Sequence, residues 1–157
     1  MATQSRIAVL QENGKVKSVY CYSDGYLSGV GHTLLAYYNS YEMANAIIAL
    51  GNLSELHKNL DPLPEAPEAY YIGQREPEIL KTHSYQKPQQ DVTIAYHRDR
   101  NEKMNRQNYR SLEHFYEKGN LQRYNYLFKD GKWHVRMEQL RVKVWVELTV
   151  EMTASYG

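Results

Sequence analysis

The chain has 157 residues, 42% hydrophobic and 24% charged, which fits one globular domain able to bury a core without disulfides. Nineteen basic side chains meet eighteen acidic ones, so no global field draws in a polyanion and nonspecific nucleic-acid coating is disfavoured. The lone cysteine, Cys21, excludes an internal disulfide framework, and no apolar run approaches the ~20 residues of a membrane span.

Residues 6–11 and 16–22 are rich in β-branched and aromatic side chains and flank Glu12-Asn13-Gly14-Lys15. Asn-Gly suits a type I′ turn, so this is read as a β-hairpin. Residues 23–31 hold three glycines among short polar residues and read as a loop that delivers the chain into a helix at residues 32–38, with Leu34, Leu35 and Tyr38 inward. Ser40 is placed to cap a second helix carrying Met43, Ala44, Ile47 and Ile48, which Gly51 ends. Residues 53–60 suggest a further short turn of helix.

Residues 61–90 contain all five prolines among glutamates and glutamines, and are read as a surface excursion within a single domain spanning 1–157. Residues 92–96 read as a short strand running into His97-Arg98-Asp99-Arg100, after which polar residues continue to Arg110. Ser111 caps a short helix with Leu112, Phe115 and Tyr116, ended by Gly119. A second hairpin follows: residues 124–128, a turn at Asp130-Gly131, and residues 133–137. In residues 140–152 Leu140, Val142, Val144, Val146, Leu148, Val150 and Met152 alternate with Arg141, Lys143, Trp145, Glu147, Thr149 and Glu151. Strict period two predicts a strand with one buried and one wet face. The expected fold is α+β: an antiparallel sheet of about five or six strands with two or three helices packed on one face.

Two segments could carry chemistry. Asp24, Gly25, Tyr26, Gly29, Gly31 and His32 lie where a strand passes into a helix, and glycine amides at a helix start suit an anion. The spacing is neither a Walker A loop nor a dinucleotide fingerprint, and a purely structural tight turn explains it equally well. Tyr96, His97, Arg98 and Arg100 form the second segment, where two arginines would grip a phosphate or carboxylate and His97 would donate a proton. A solvated charge run with Asp99 holding an arginine is the alternative. If both segments leave the same rim of the sheet, they converge on one anion, most simply a nucleotide. The six histidines are scattered without paired spacing and one cysteine completes no zinc site, so neither a metal nor another cofactor is expected. Cys21, inside a strand, is expected to be buried. Fifteen tyrosines offer rings with polar tips, useful at interfaces and equally at home in half-buried strands.

The N-terminal residues Ser5-Arg6-Ile7-Ala8-Val9, then Val19-Tyr20-Cys21-Tyr22-Ser23-Asp24-Gly25-Tyr26, Ser28-Gly29-Val30-Gly31, Leu34-Leu35 and Tyr38-Asn39 resemble a family of small proteins encoded mainly by tailed bacteriophages. Its loop commonly reads Tyr-Cys-His-Trp-Asp-Gly-Tyr-Pro-Ser-Gly-Val-Gly. Residues 49–54 and 91–100 look similar too, so the likeness covers roughly residues 5–102. Tyr22, Ser23 and Leu27 stand where that pattern has histidine, tryptophan and proline, so any role of that histidine is lost here. The resemblance implies phage origin and host cytoplasm rather than a mechanism. It favours a non-enzymatic accessory protein that binds a host protein and inhibits or redirects it; the alternative is a nucleotide-binding, nucleotide-sequestering or nucleotide-cleaving protein. The start Met-Ala-Thr-Gln-Ser-Arg, with no apolar stretch behind it, agrees with a cytoplasmic, membrane-free expectation.

Overall fold

A computed structural model of the chain describes residues 2–62 and 91–155. The expected proline-rich excursion lies, beyond Asp61 and Pro62, outside the described residues. Strands β1 (Ser5–Leu10) and β2 (Val16–Cys21) form the first hairpin, with Leu10 opposite Val16. Its turn differs from the type I′ expectation. Gln11 pairs with Lys15 through a 2.7 Å hydrogen bond, and within the loop Gly14 alone takes a positive φ, +84°. Three residues therefore close the hairpin, a type I turn finished by one left-handed glycine, which equally matches the strand twist. The second hairpin, β6 (Tyr124–Lys129) and β7 (Lys132–Met137), does turn on two left-handed residues, Asp130 at φ 53° and Gly131 at φ 76°.

Three short strands extend the sheet on the β2 side: β3 (Leu53–Glu55), β4 (Ile94–Ala95) and β5 (Gln107–Tyr109). With β8 (Val146–Glu147) they give, among the described residues, eight strands in the order β4-β3-β2-β1-β6-β7-β8, with β5 beside the first half of β2. The α+β class holds, but the sheet is larger than expected and mixed, because β1 runs parallel to β6 and β2 parallel to β3. The reason lies in β1. Ile7 and Val9 enter one core while Ala8 enters a second on the opposite face, and a strand buried on both faces suits parallel pairing. Residues 53–55 are strand, not helix, and β5 comes from a stretch read as polar loop.

Helices cover both faces, not one. A π turn (Leu27–Gly31), α1 (His32–Tyr37), α2 (Tyr41–Ala49) and α5 (Val150–Ser155) share the larger core with Ile7, Tyr126 and Trp133 or pack on the elements that do. On the other face α4 (Leu112–Lys118) lays Phe115 against Ala8, Val16, Tyr109 and Leu127. Ser40 and Ser111 cap α2 and α4 as expected, accepting from the Met43 and His114 amides. Arg6, almost fully buried, ties the second layer together: Nε donates to the Asn120 carbonyl at 2.5 Å, and Nη1 to Ser18 Oγ at 3.1 Å and Gln107 Oε1 at 2.9 Å. Burial lowers the pKa of its guanidinium, whose Nε and Nη1 donors point at oxygens.

The long alternating strand expected at 140–152 is not formed. Residues 138–145 are turn, bend and irregular chain, only Val146–Glu147 pair with β7, and α5 begins at Val150 with Thr149 Oγ1 accepting from the Met152 amide. At the sheet edge a strand has one neighbour rather than two, and the even-numbered valines have no layer above them. Alternation alone therefore does not extend the ladder. No helix among the described residues is long and apolar enough to cross a membrane.

Candidate interaction site

The glycine loop leaves β2 at Cys21 and is wound back on itself. Asp24 adopts the left-handed region at φ 56°, Gly25 N–H donates to the Thr3 carbonyl at 2.8 Å, and Val30 N–H returns to the Asp24 carbonyl at 2.8 Å. Gly29 and Gly31 both donate to the Tyr26 carbonyl, at 3.0 and 3.4 Å, and His32 N–H reaches back to the Leu27 carbonyl, the five-residue step of a π turn. A Cβ on Gly29 would lie 2.2 Å from the Asp24 oxygen, one on Gly25 2.7 Å from Ser5 Cβ, and one on Gly31 3.1 Å from the Tyr126 hydroxyl. These glycines exist for close packing, and the amides offered to an anion in the sequence reading already hold acceptors within the chain. Tyr126 fixes the loop by donating its buried hydroxyl to the Gly25 carbonyl at 2.7 Å.

The second segment also differs from its reading. The strand ends at Ala95, and Tyr96–Arg100 form a single-turn helix, α3, stopped by Asn101 in the left-handed region at φ 55°. Asp99, 6% exposed, folds back to accept from the Ala95 amide at 2.8 Å. Arg98 is committed to the fold: Nε and Nη2 donate to Asp99 at 3.0 Å, Nη2 to the Thr93 carbonyl at 2.8 Å, and Nη1 to the Leu60 carbonyl at 2.7 Å. Asp99 thus holds Arg98, the alternative reading of that charge run. His97, exposed, pairs its Nδ1 with the Glu102 carbonyl at 2.8 Å. Arg100, also exposed, sits over the Tyr96 ring at 5.4 Å.

Strand polarity decides how the two segments relate. β3 runs with β2, and β4 runs against β3, so the chain leaves β2 at Cys21 and β4 at Ala95 in opposite directions from the same rung, Cys21–Leu53–Ala95. They do not emerge from one rim. His32 goes to the helix side, edge-on to Tyr37 and lining a shallow cleft with Leu35, Ala36, Val150 and Thr153. Asp24 and Arg100, in contrast, flank β3 and act on the same ion pair there. Glu55 Oε1 meets His57 Nε2 at 2.9 Å. The hydrogen bond to Glu55 raises the His57 pKa, with Asp24 among the charges that help, and the bond from His57 lowers that of Glu55, with Arg100 adding to it.

Beside Arg100, which lies over Tyr96, three tyrosines interact that their spacing in sequence does not bring together. Tyr20 lies opposite Arg6 on the face away from the large core, with Tyr22 two residues on, and Tyr96 and Tyr22 both act electrostatically on Tyr20. Burial raises the Tyr20 and Tyr96 pKa values, and the Tyr96 hydroxyl stands beside that of Ser54. Tyr22 is 43% exposed. The signal was present as Tyr20-x-Tyr22 and Glu55-x-His57, each pair straddling the end of a strand, β2 at Cys21 and β3 at Glu55. Tyr26, whose hydroxyl donates to Asp24 Oδ1 at 3.3 Å, has its pKa raised chiefly by that carboxylate.

Comparison with family models, with curated proteins and with solved structures finds no match. The site must therefore be read from its own chemistry. Cys21 lies fully buried beneath it, and burial pushes its thiol up to about 12, so it stays protonated and unreactive as expected for a core cysteine. Among the described residues no three His, Cys, Asp or Glu side chains gather where one ion would bind. What the surface presents is aromatic area with hydroxyl tips, one exposed guanidinium and one ion pair. Such a mixture buries apolar area while satisfying its polar atoms against a partner.

Proposed function

We propose that the chain is a non-enzymatic binding protein of the phage accessory kind, which contacts a host protein in the host cytoplasm through Tyr20, Tyr22, Tyr96 and Arg100 and thereby inhibits or redirects it. The observation that carries this reading is the contrast between the two sets of residues. The groups best suited to hold an anion, the glycine amides and Arg98, are bonded within the fold, whereas Tyr22 and Arg100 stand exposed on its surface. Tyrosine and arginine are also the residue types that dominate protein interfaces energetically. The family resemblance, with its phage origin, supplies the host context.

The test is affinity capture from host lysate with the wild-type chain and with a Tyr22→Ser/Arg100→Ala variant of unchanged melting temperature, read by quantitative mass spectrometry. The reading expects at least one protein enriched by the wild type and depleted about tenfold or more with the variant, the loss of one or two interface anchors. Equal recovery would remove the surface from the proposal, and no recovery would remove the binder. A nucleotide occupant keeps one foothold, the Arg100–Tyr96 pair, on which a base could stack. A thermal shift with mono-, di- or cyclic nucleotides that the same variant abolishes would favour that reading instead.

A further inference from the structure

Among the described residues, most of the exposed large hydrophobics fall in the alternating segment that fails to form a strand or just beyond it. Leu140 is 45% exposed, Val142 66%, Val144 51% and Val146 40%, with Val150 at 67% just beyond on α5. Four of these sit on consecutive even positions that lead into and include the first residue of β8, the strand at the free edge of the sheet. A soluble chain does not ordinarily leave an apolar edge bare. Leu140 also lines an apolar cavity of about 290 Å³ with Leu27, Tyr124, Met137 and Met152, so the valine row continues a hollow on the helix side of the sheet.

We infer that the covering group is a second copy of this chain, paired antiparallel along residues 140–148 about a two-fold axis at Val144. Hydrogen-bond polarity permits it. The Leu148 amide donates inward to the Trp133 carbonyl at 2.9 Å, and Val146 faces Val135 on β7. By the alternation of an antiparallel ladder, Glu147 and Trp145 then turn their backbone groups to the outer edge, with Lys143 and Arg141 following once the segment straightens. An axis through Val144 pairs odd residues with odd ones, as outward-facing groups require.

The cross-strand partners select the register. About Val144, Arg141 stands opposite Glu147 of the second copy and Lys143 opposite Trp145, each contact made twice by symmetry, while Val142 meets Val146 and Val144 meets itself. Moving the axis to Lys143 sets lysine against lysine. Moving it to Trp145 sets Lys143 opposite Glu147 but leaves Arg141 opposite Thr149 and Trp145 against itself, so both the arginine and the Lys143–Trp145 contact lose their partners. Glu147 is free to change partner, because its present contact with Lys132, 3.4 Å long, joins two side chains more than half exposed. Trp145 rests on Phe115 and Tyr116, ring centres 5.9 Å apart in each case, and is partly exposed, so a lysine can lie against it. A two-fold axis perpendicular to the sheet keeps the helices of both copies on one side, where each α5 flanks the paired valines.

Sedimentation velocity on the full chain across a concentration series tests this. The expected result is a monomer–dimer equilibrium weakened about tenfold by Arg141→Glu and by Glu147→Arg, each of which places like charges opposite each other twice, and restored to within about threefold by the double variant. Val144→Cys should also form a disulfide-linked dimer on mild oxidation, since Cys21 is buried and Val144 faces its own copy. A wild-type chain that stays monomeric at high concentration overturns the inference. So does a dimer whose affinity ignores both charge reversals, or a double variant no better than the singles. Strand addition by a different protein at the same edge would show itself as the first of these outcomes.

Discussion

Replacing Arg98 by alanine separates a structural arginine from a ligand-gripping one. The side chain is 21% exposed and donates to two main-chain carbonyls, Leu60 and Thr93, and to both oxygens of Asp99, itself 7% exposed. Deletion leaves a buried carboxylate still held by the Ala95 amide, and strips a donor from the carbonyl of Thr93, a buried residue. Breaking a buried ion pair from one side costs about 3–5 kcal/mol, and the carbonyls keep the estimate in the upper part of that range. At about 2–4 °C per kcal/mol for a chain of this size, the melting temperature should fall by at least about 6 °C. Arg98→Lys should recover less than half, because a single ammonium cannot reach carboxylate and carbonyls in the geometry of a planar fork. Arg100→Ala, which removes an exposed cation over Tyr96, should stay within about 0.5 kcal/mol of the wild type. Urea and thermal unfolding of the three variants decide the matter. A loss below about 1 kcal/mol for Arg98→Ala would refute the assignment of Arg98 to the fold.

Two further outcomes follow from the site. Gly29→Ala places a methyl 2.2 Å from the Asp24 oxygen and must open the Val30-to-Asp24 hydrogen bond, so it should cost about 1–3 kcal/mol although alanine is the better helix former; a neutral result in the same unfolding assay would mean the loop yields freely. The Glu55–His57 pair sets a pH dependence. Folded His57 holds its proton above the ordinary value of 6.5, so its contribution is complete below that value and disappears as pH rises through the raised one, whereas that of Glu55 is complete above 4.5 and disappears as pH falls through its lowered value. The pair is about one third exposed, so the effect on stability stays below about 1 kcal/mol. Imidazole NMR should therefore place the His57 midpoint above 6.5 in the wild type and lower in Glu55→Gln; an unmoved midpoint would assign the shift to something other than the carboxylate.

Local chemistry was legible wherever neighbours in sequence are also the physical partners. Both hairpins, the serine caps of α2 and α4, the stop at Gly51 and the burial of Cys21 follow from turn geometry, capping and strand placement that a few adjacent residues determine. The α+β class followed as well. The candidate site was half visible. Asp24, Tyr96 and Arg100 do gather around β3, but Tyr20, Tyr22, Glu55 and His57 join them only through a register that pairs Cys21 with Leu53 and Leu53 with Ala95.

Tertiary structure alone decided the rest, because pairing partners distant in sequence leave no local mark. The parallel match of β1 with β6, the strand made from residues 107–109, and α4 crossing to the second face depend on which surface each segment meets. Arg98 and the glycine amides illustrate the same limit at the site: their residue types announce anion binding, yet the acceptors that satisfy them lie elsewhere in the chain. Residues 140–148 show its converse. The sequence specifies a strand by alternation, and alternation has force only when a neighbouring strand supplies hydrogen bonds and a layer covers the valines. Within one chain that support ends at Val146.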